Sequence, residues 1–333
     1  MDTHGLIKRF SSGEIPVHEK VADAATYLNS LSKREAGIAI DDIKILEACV
    51  RMVTSCDVEL IETSLFKVIG TYLKTSPAFQ SADYLEDYFD LDFENEDPSF
   101  TVDYTGNYTF VPDSMLPAPL AAERTYALML ARYFFQHVYA KTSARQNLEG
   151  VALPGLELDS VTIHETRMAG SVYMGADFTD CHFQSVGMGR SNLKKCTFTG
   201  CRFDNVGLNE CKLEGATFDR CIFHGASLRA VAFGKASFTH CQFVETELCF
   251  IDFGASDLSC CTFDKCWISH AGMGQVSGLA QKQLDSFFGD DSTRLPAHLE
   301  RPTFWPRKGD MTTWRKWVES GDVSESTACL SYE

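Results

Sequence analysis

Cysteines are the residues of this chain whose type and spacing most invite chemistry. There are thirteen in 333 residues, and Cys181, Cys201, Cys221, Cys241 and Cys261 recur at intervals of twenty. Thiolates bind zinc or enter redox reactions. Structural zinc, however, uses close-spaced pairs that converge tetrahedrally, and the chain has no Cys-x-x-Cys. Cys196–Cys201 and Cys261–Cys266 are five apart instead. Stacked cysteines would fall within the Cα range of a disulfide, but with parallel side chains. The N-terminus, Met-Asp-Thr-His-Gly-Leu-Ile-Lys-Arg, lacks the apolar core of a signal peptide, so reduced thiols in a cytoplasm are expected. The favoured reading is cysteine as a small buried hydrophobe; a redox or metal protein using the cysteines is an alternative.

Other motifs are weaker. Asp90-Leu-Asp-Phe-Glu-Asn-Glu starts like a calcium loop, but the sixth position is Asn95 rather than Gly and the twelfth Thr101 rather than Glu. His164, His182, His224, His240 and His270 show no spacing that pairs an acid with a nucleophile, and read as surface residues. There is no phosphate-binding glycine loop. No catalytic, cofactor or metal site is expected, and the chain is read as not an enzyme.

The elements that carry these residues follow one rule. From Leu148 to Met273 an apolar residue stands at every fifth position, 26 times without a slip, and from Val151 on the residue two places earlier is small or apolar. Five fits neither the helical period nor the strand period. Sustained this long, it marks a solenoid. Four repeats make a square turn of 20 residues, with the apolar centre and the small residue inward and three residues outward. Turns stacked about 4.8 Å apart give a rod of about 30 Å over roughly six turns. Sorting by twenty puts the Cys-x-Phe repeats on one wall. The next wall carries Met168, Met188, Leu208, Leu228, Leu248 and Ile268. A third carries Tyr173, Leu193, Leu213, Phe233 and Phe253, and the fourth Phe178, Phe198, Phe218, Phe238 and Leu258. Gly155, Gly170, Gly175, Gly200, Gly215 and Gly225 fall at corners.

The pattern resembles the pentapeptide-repeat family, whose consensus is Ala-(Asp/Asn)-Leu-x-x. Ala176-Asp177-Phe178, Ser191-Asn192-Leu193 and Ser256-Asp257-Leu258 come nearest to it. The resemblance covers Leu148–Met273, about 38% of the chain. It implies a right-handed quadrilateral β-helix, with some turns of a different type where the consensus Asp or Asn is missing. Some bacterial members bind type II topoisomerases as acidic DNA mimics, often as C-terminal dimers, so a modulator of gyrase is an alternative function. A homodimer through the C-terminal segment is a further alternative. The register has no insertion matching the family's topoisomerase-contacting loops.

The expected fold is therefore mixed. An α-helical domain (1–142) holds helices near 18–33, 41–55, 58–75 and 118–142 and an acidic segment at 83–97 with eight acids and no base. An all-β pentapeptide-repeat solenoid (146–275) follows, then a short helical C-terminal cap (276–319) and a loose tail (320–333). Residues 101–116 read as extended or loop, Leu279–Phe288 as a short helix ended by Gly289, and Met311–Glu319 as a last helix.

Charge narrows the partner. The net charge is −16, which argues against direct nucleic-acid binding and against an anionic membrane surface but suits a protein partner with a basic surface. Summed over five-residue blocks, the fourth wall carries −5 against −2, +1 and +2 for the others. The candidate partner-binding residues are Glu157, Asp159, Asp177, Asp180, Asp219 and Asp257 on that wall, with Tyr84, Asp87, Asp90 and Asp92 in the acidic segment. The favoured function is a protein-binding scaffold without catalysis.

Overall fold

The structure is a computed structural model that describes residues 3–31, 45–46, 48–49, 68, 101–104, 106–109, 128–132, 134–139, 146–151, 153–231 and 233–320. Apart from isolated positions, the helices expected at 41–55 and 58–75 lie outside the described residues. So do the acidic segment and the tail beyond Ser320. The chain divides into two compact units, Met1–Ala144 with Gly150–Val161, and Arg145–Glu149 with Thr162–Glu333.

In the first unit two helices run Thr3–Ser11 and Val17–Leu31. The second, expected near 18–33, buries Ala24, Ala25, Tyr27, Leu28 and Leu31, the stripe that i, i+3, i+4, i+7 spacing places on one side. Arg9 joins the helices by donating to Asp23 at 2.7 Å. The helix at 3–11 escaped the sequence reading because its apolar stripe, Leu6 and Phe10, is only two residues wide. Thr101–Tyr104 and Gly106–Thr109 pair as an antiparallel hairpin. Phe134–Val138 forms a turn of π-helix, and Phe134, Phe135 and Tyr139 are fully buried there.

The second unit is the coil. The Cys/Phe wall stacks Thr162–His164, His182–Gln184, Arg202–Asp204, Ile222–His224, Gln242–Val244 and Thr262–Asp264 as parallel strands, each residue opposite the one twenty later. The fourth wall stacks Asp177–Thr179, Thr197–Thr199, Thr217–Asp219 and Ser237–Thr239 in the same way. The register forces ring on ring. Phe183, Phe203, Phe223, Phe243 and Phe263 stack 4.7–5.1 Å apart with interplanar angles of 10° or less. Neighbouring walls meet edge to face, as Phe198–Phe203 does at 5.4 Å and 66°. Both geometries suit the ring quadrupole, and each buried ring stabilises the coil by roughly 1.5–3 kcal/mol.

The corners place left-handed backbone at nearly every fifth residue. At Tyr173–Ala176, Leu193–Cys196 and Leu213–Ala216 a backbone hydrogen bond of 2.8–3.2 Å closes a tight turn, with positive φ at Gly175, Lys195 and Gly215. At Phe233–Ala236 and Phe253–Ser256 the positive φ moves one place earlier, to Gly234 and Gly254. Turns of two types are therefore present, but they do not follow the consensus Asp or Asn: Asp252 precedes Phe253, whereas Val172 and Lys212 precede centres with the commoner turn. Gly254 has a second constraint, because a Cβ there would lie 2.7 Å from the Gly234 carbonyl oxygen.

Two expectations are corrected at the C-terminal end. Helix is confined to Gln281–Leu284, and Phe287–Gly289 is instead a strand that adds a rung beside Cys266–Ser269. The coil also does not stop at Met273, since Ser277 bridges to Asp257 and Arg294 to Gly272. The lost five-residue beat hid this continuation: irregular segments intervene between rungs, while backbone pairing demands only that the edge be met. Nor are all outward positions wet. Glu247, Cys249, Trp267 and Ser269 are buried. The expected last helix, Met311–Ser320, packs on them, with Trp314 stacked 5.7 Å from Trp267. Asp310 starts that helix by accepting the Thr313 N–H at 2.8 Å.

Candidate functional site

Within the second unit the fourth wall brings Asp177, Asp180, Asp219 and Asp257 to one outer side. Asp177 heads the row that continues through Thr197, Thr217 and Ser237. Asp219 stands in the adjacent row between Thr199 and Thr239. Asp180 occupies the corner. Asp177, Asp180 and Asp257 are exposed, and Asp219 is half-buried. Their environments differ. Asp219 is paired with Arg220 at 2.9 Å, so its charge is locally offset. Asp257 accepts the Ser259 N–H at 2.9 Å, and hydrogen bonds from Ser259 hold its carboxyl below the usual carboxylate range. Glu157 and Asp159 belong to the first unit, both exposed. Glu157 pairs with Arg132 at 3.2 Å, and Asp159 accepts the Ser160 hydroxyl at 2.8 Å. Tyr84, Asp87, Asp90 and Asp92 lie outside the described residues.

The cysteine ladder has a specific job in the interior. Cys201, Cys221, Cys241 and Cys261 point each thiol at the carbonyl oxygen 23 residues earlier, that of Phe178, Phe198, Phe218 and Phe238, at 3.2–3.7 Å. Cys196, Cys211 and Cys266 do the same on other walls. Ser171, Ser191 and Thr246 make the equivalent bond with a hydroxyl. Where the inner small residue carries a thiol or hydroxyl it thus becomes a donor; at Ala176, Val186, Val206, Ala216 and Ala226 the same position is filled by an apolar side chain. Burial pushes the thiols of Cys196, Cys211 and Cys266 up to about 12. Cys221 is raised as well, by its stacked neighbours Cys201 and Cys241 and by burial. These four thiols supply little thiolate at neutral pH, the species that both metal binding and redox attack require; Cys201 and Cys241 are held down instead, by hydrogen bonds with the thiols stacked on either side. Among the described cysteines Cys260 alone is exposed.

One cluster was missed from sequence. His182, read as an ordinary surface histidine, lies 2.6 Å from Asp204, whose carboxylate also accepts from Arg202 at 2.5 Å. His224 stands 3.5 Å from the other oxygen. Burial acts to raise the Asp204 carboxyl, but the hydrogen bonds and charges of Arg202 and His182 outweigh it and hold the group below its ordinary range. The signal was available in the twenty-residue sorting, which sets His182 beside Arg202 and Asp204 beside His224. The guanidinium already occupies the carboxylate, and among the described residues no three His, Cys, Asp or Glu side chains are grouped to hold a metal.

Comparison with known proteins bears on the coil. A family model for pentapeptide repeats matches residues 201–239 with eight copies. Among solved structures, HetL, a pentapeptide repeat protein involved in heterocyst differentiation regulation in the cyanobacterium Nostoc, is 15% identical with a TM-score of 0.41, over 46% of this chain and 69% of its own. A pentapeptide repeat protein of the Arabidopsis thaliana thylakoid lumen is 20% identical with a TM-score of 0.25, over 26% of this chain and 61% of its own. Full-length QnrB1, a plasmid-mediated fluoroquinolone resistance protein, is 13% identical with a TM-score of 0.26, over 53% and 96%. No curated protein matches the chain. The unbroken register, the parallel rungs twenty residues apart and the eight matched copies together make residues 148–273 a pentapeptide-repeat β-helix.

Proposed function

We propose that this chain is a non-enzymatic scaffold that presents the wall of Asp177, Asp180, Asp219 and Asp257 to a basic surface on a protein partner. The observation that carries the reading is the one-sided acid on an interior that is otherwise fully committed. Inward side chains are spent on ring stacks and carbonyl bonds, so recognition falls to the outer rows. No helix among the described residues is long and apolar enough to cross a membrane. A rigid stack favours recognition because little order must be gained on binding.

Imitation of duplex DNA is the less favoured reading. DNA carries about one charge per 1.7 Å of axis, or roughly a dozen over 20 Å. The four acids here are spread from rung 177 to rung 257, and Arg220 offsets one of them. The test is quantitative capture of crosslinked partners by the full chain and by Asp177→Lys/Asp180→Lys/Asp257→Lys. The expected outcome is loss of a partner with a basic surface from the variant. Equal capture by both would overturn the reading, and inhibition or protection of gyrase supercoiling at micromolar protein would favour DNA mimicry in its place.

A further inference from the structure

The Met311–Ser320 helix leaves an open-sided groove of about 620 Å³ against the coil, lined by Ser227, Glu245 and Glu247 from the coil and by Trp314, Val318 and Glu319 from the helix. Glu247 is the unusual member. It is 8% exposed and stands between Ser227 and Trp267 on successive rungs. Its hydrogen-bond partner is the Ser227 hydroxyl at 2.9 Å, yet that hydroxyl also lies 2.8 Å from the Asn209 carboxamide oxygen. Asn209 cannot be turned round, because the same oxygen accepts the Arg229 N–H at 2.9 Å. One hydroxyl proton serves one acceptor at a time, so Glu247 shares the one donor it has among the described residues. Among the described residues no lysine, arginine or histidine pairs with Glu245, Glu247 or Glu319, and Arg315, which also borders the groove, forms no ion pair. A carboxylate buried this far without a cation is costly unless a cation is supplied.

We infer that this groove receives an arginine side chain from a basic segment of a partner protein. The carboxylates of Glu247, Glu245 and Glu319 match a guanidinium, which donates in a planar fork and sheds water more readily than an ammonium. Trp314, 8% exposed, forms part of the groove's wall. Its ring is already held: one side stacks on Trp267 and its indole N–H donates to the Lys265 carbonyl at 2.9 Å. Val318 and Met311 line the space along which the aliphatic stem would lie. The groove does not involve the acidic wall, so this inference and the proposal above fail separately.

The experiment uses the full chain labelled with ¹⁵N and a blocked Gly-Arg-Gly peptide, following the Trp314 indole N–H, assigned with Trp314→Phe. The arginine peptide is expected to shift that resonance and the Glu247 amide saturably. The citrulline analogue, equal in shape but uncharged, should leave both in place, and the lysine analogue should bind more weakly. Glu247→Gln should weaken binding about tenfold or more, with a thermal midpoint equal to or above that of the parent, because an under-paired buried charge has been removed. No shift at roughly 10 mM peptide, an equal shift from citrulline, or unchanged binding by Glu247→Gln would overturn the assignment. Equal affinity for the lysine peptide would overturn the choice of arginine.

Discussion

At the scale of single residues, the inner cysteines are the instructive case. Their burial was legible from spacing, because a residue two places before every apolar centre must share its side of the strand. Their hydrogen bonds were not, because the acceptor lies 23 residues away and is met only when the coil closes. That bond explains why Cys, Ser and Thr exchange at one position. Cys201→Ser should therefore keep the bond to the Phe178 carbonyl and cost no more than about 1 kcal/mol. Cys201→Leu should cost about 1–3 kcal/mol, because the packed rings leave no room for the added carbons. Denaturant melts of the two variants measure the difference, and a larger loss for serine would contradict the donor role. Asp204 teaches the same lesson from outside: neither His182 nor Arg202 stands out alone, and their convergence on one carboxylate exists only across rungs.

At the scale of elements, an open stack has an edge problem, since its last rung exposes unpaired carbonyl and N–H groups. Here the C-terminal segment answers it group by group. Gln283 donates to the carbonyls of Leu258 at 3.0 Å and Cys261 at 2.7 Å. Trp305 donates to the Phe287 carbonyl at 2.8 Å, and Phe263 is covered by Phe287 at 4.6 Å. Gln283→Ala should destabilise the chain by about 1–3 kcal/mol, the cost of leaving such acceptors unpaired. It should also increase self-association with concentration, as seen by sedimentation velocity. A variant that melts like the parent and keeps the parent's mass distribution would show that the cap rests on apolar contact alone. The need for a cap could be stated from the repeat; which residues provide it could not, because the closing segment, 276–320, carries no five-residue period.

At the scale of the whole molecule, the net charge of −16 sets the long-range behaviour and the outer rows set the local one. Attraction between an acidic wall and a basic partner is screened within about 10 Å at 0.1 M salt. Association of the partner should therefore slow as salt is raised, with a smaller change in dissociation rate. The triple charge reversal at Asp177, Asp180 and Asp257 should flatten that dependence; a salt response unchanged in the variant, followed by surface plasmon resonance, would remove these acids from the encounter. What the sequence by itself determined is the coil: its period, its four walls, which side chains face inward and which wall is acidic. A period-five register repeated without a slip leaves a stacked chain one arrangement that buries every centre. Only the tertiary structure decided the rest. It showed which outward groups are covered, where the corners flip at Gly234 and Gly254, how Phe287–Gly289 prolongs a wall, and that Glu247 lies beneath a tryptophan without a cation. These depend on segments that meet across the chain with no shared period, and on distances that no local pattern encodes.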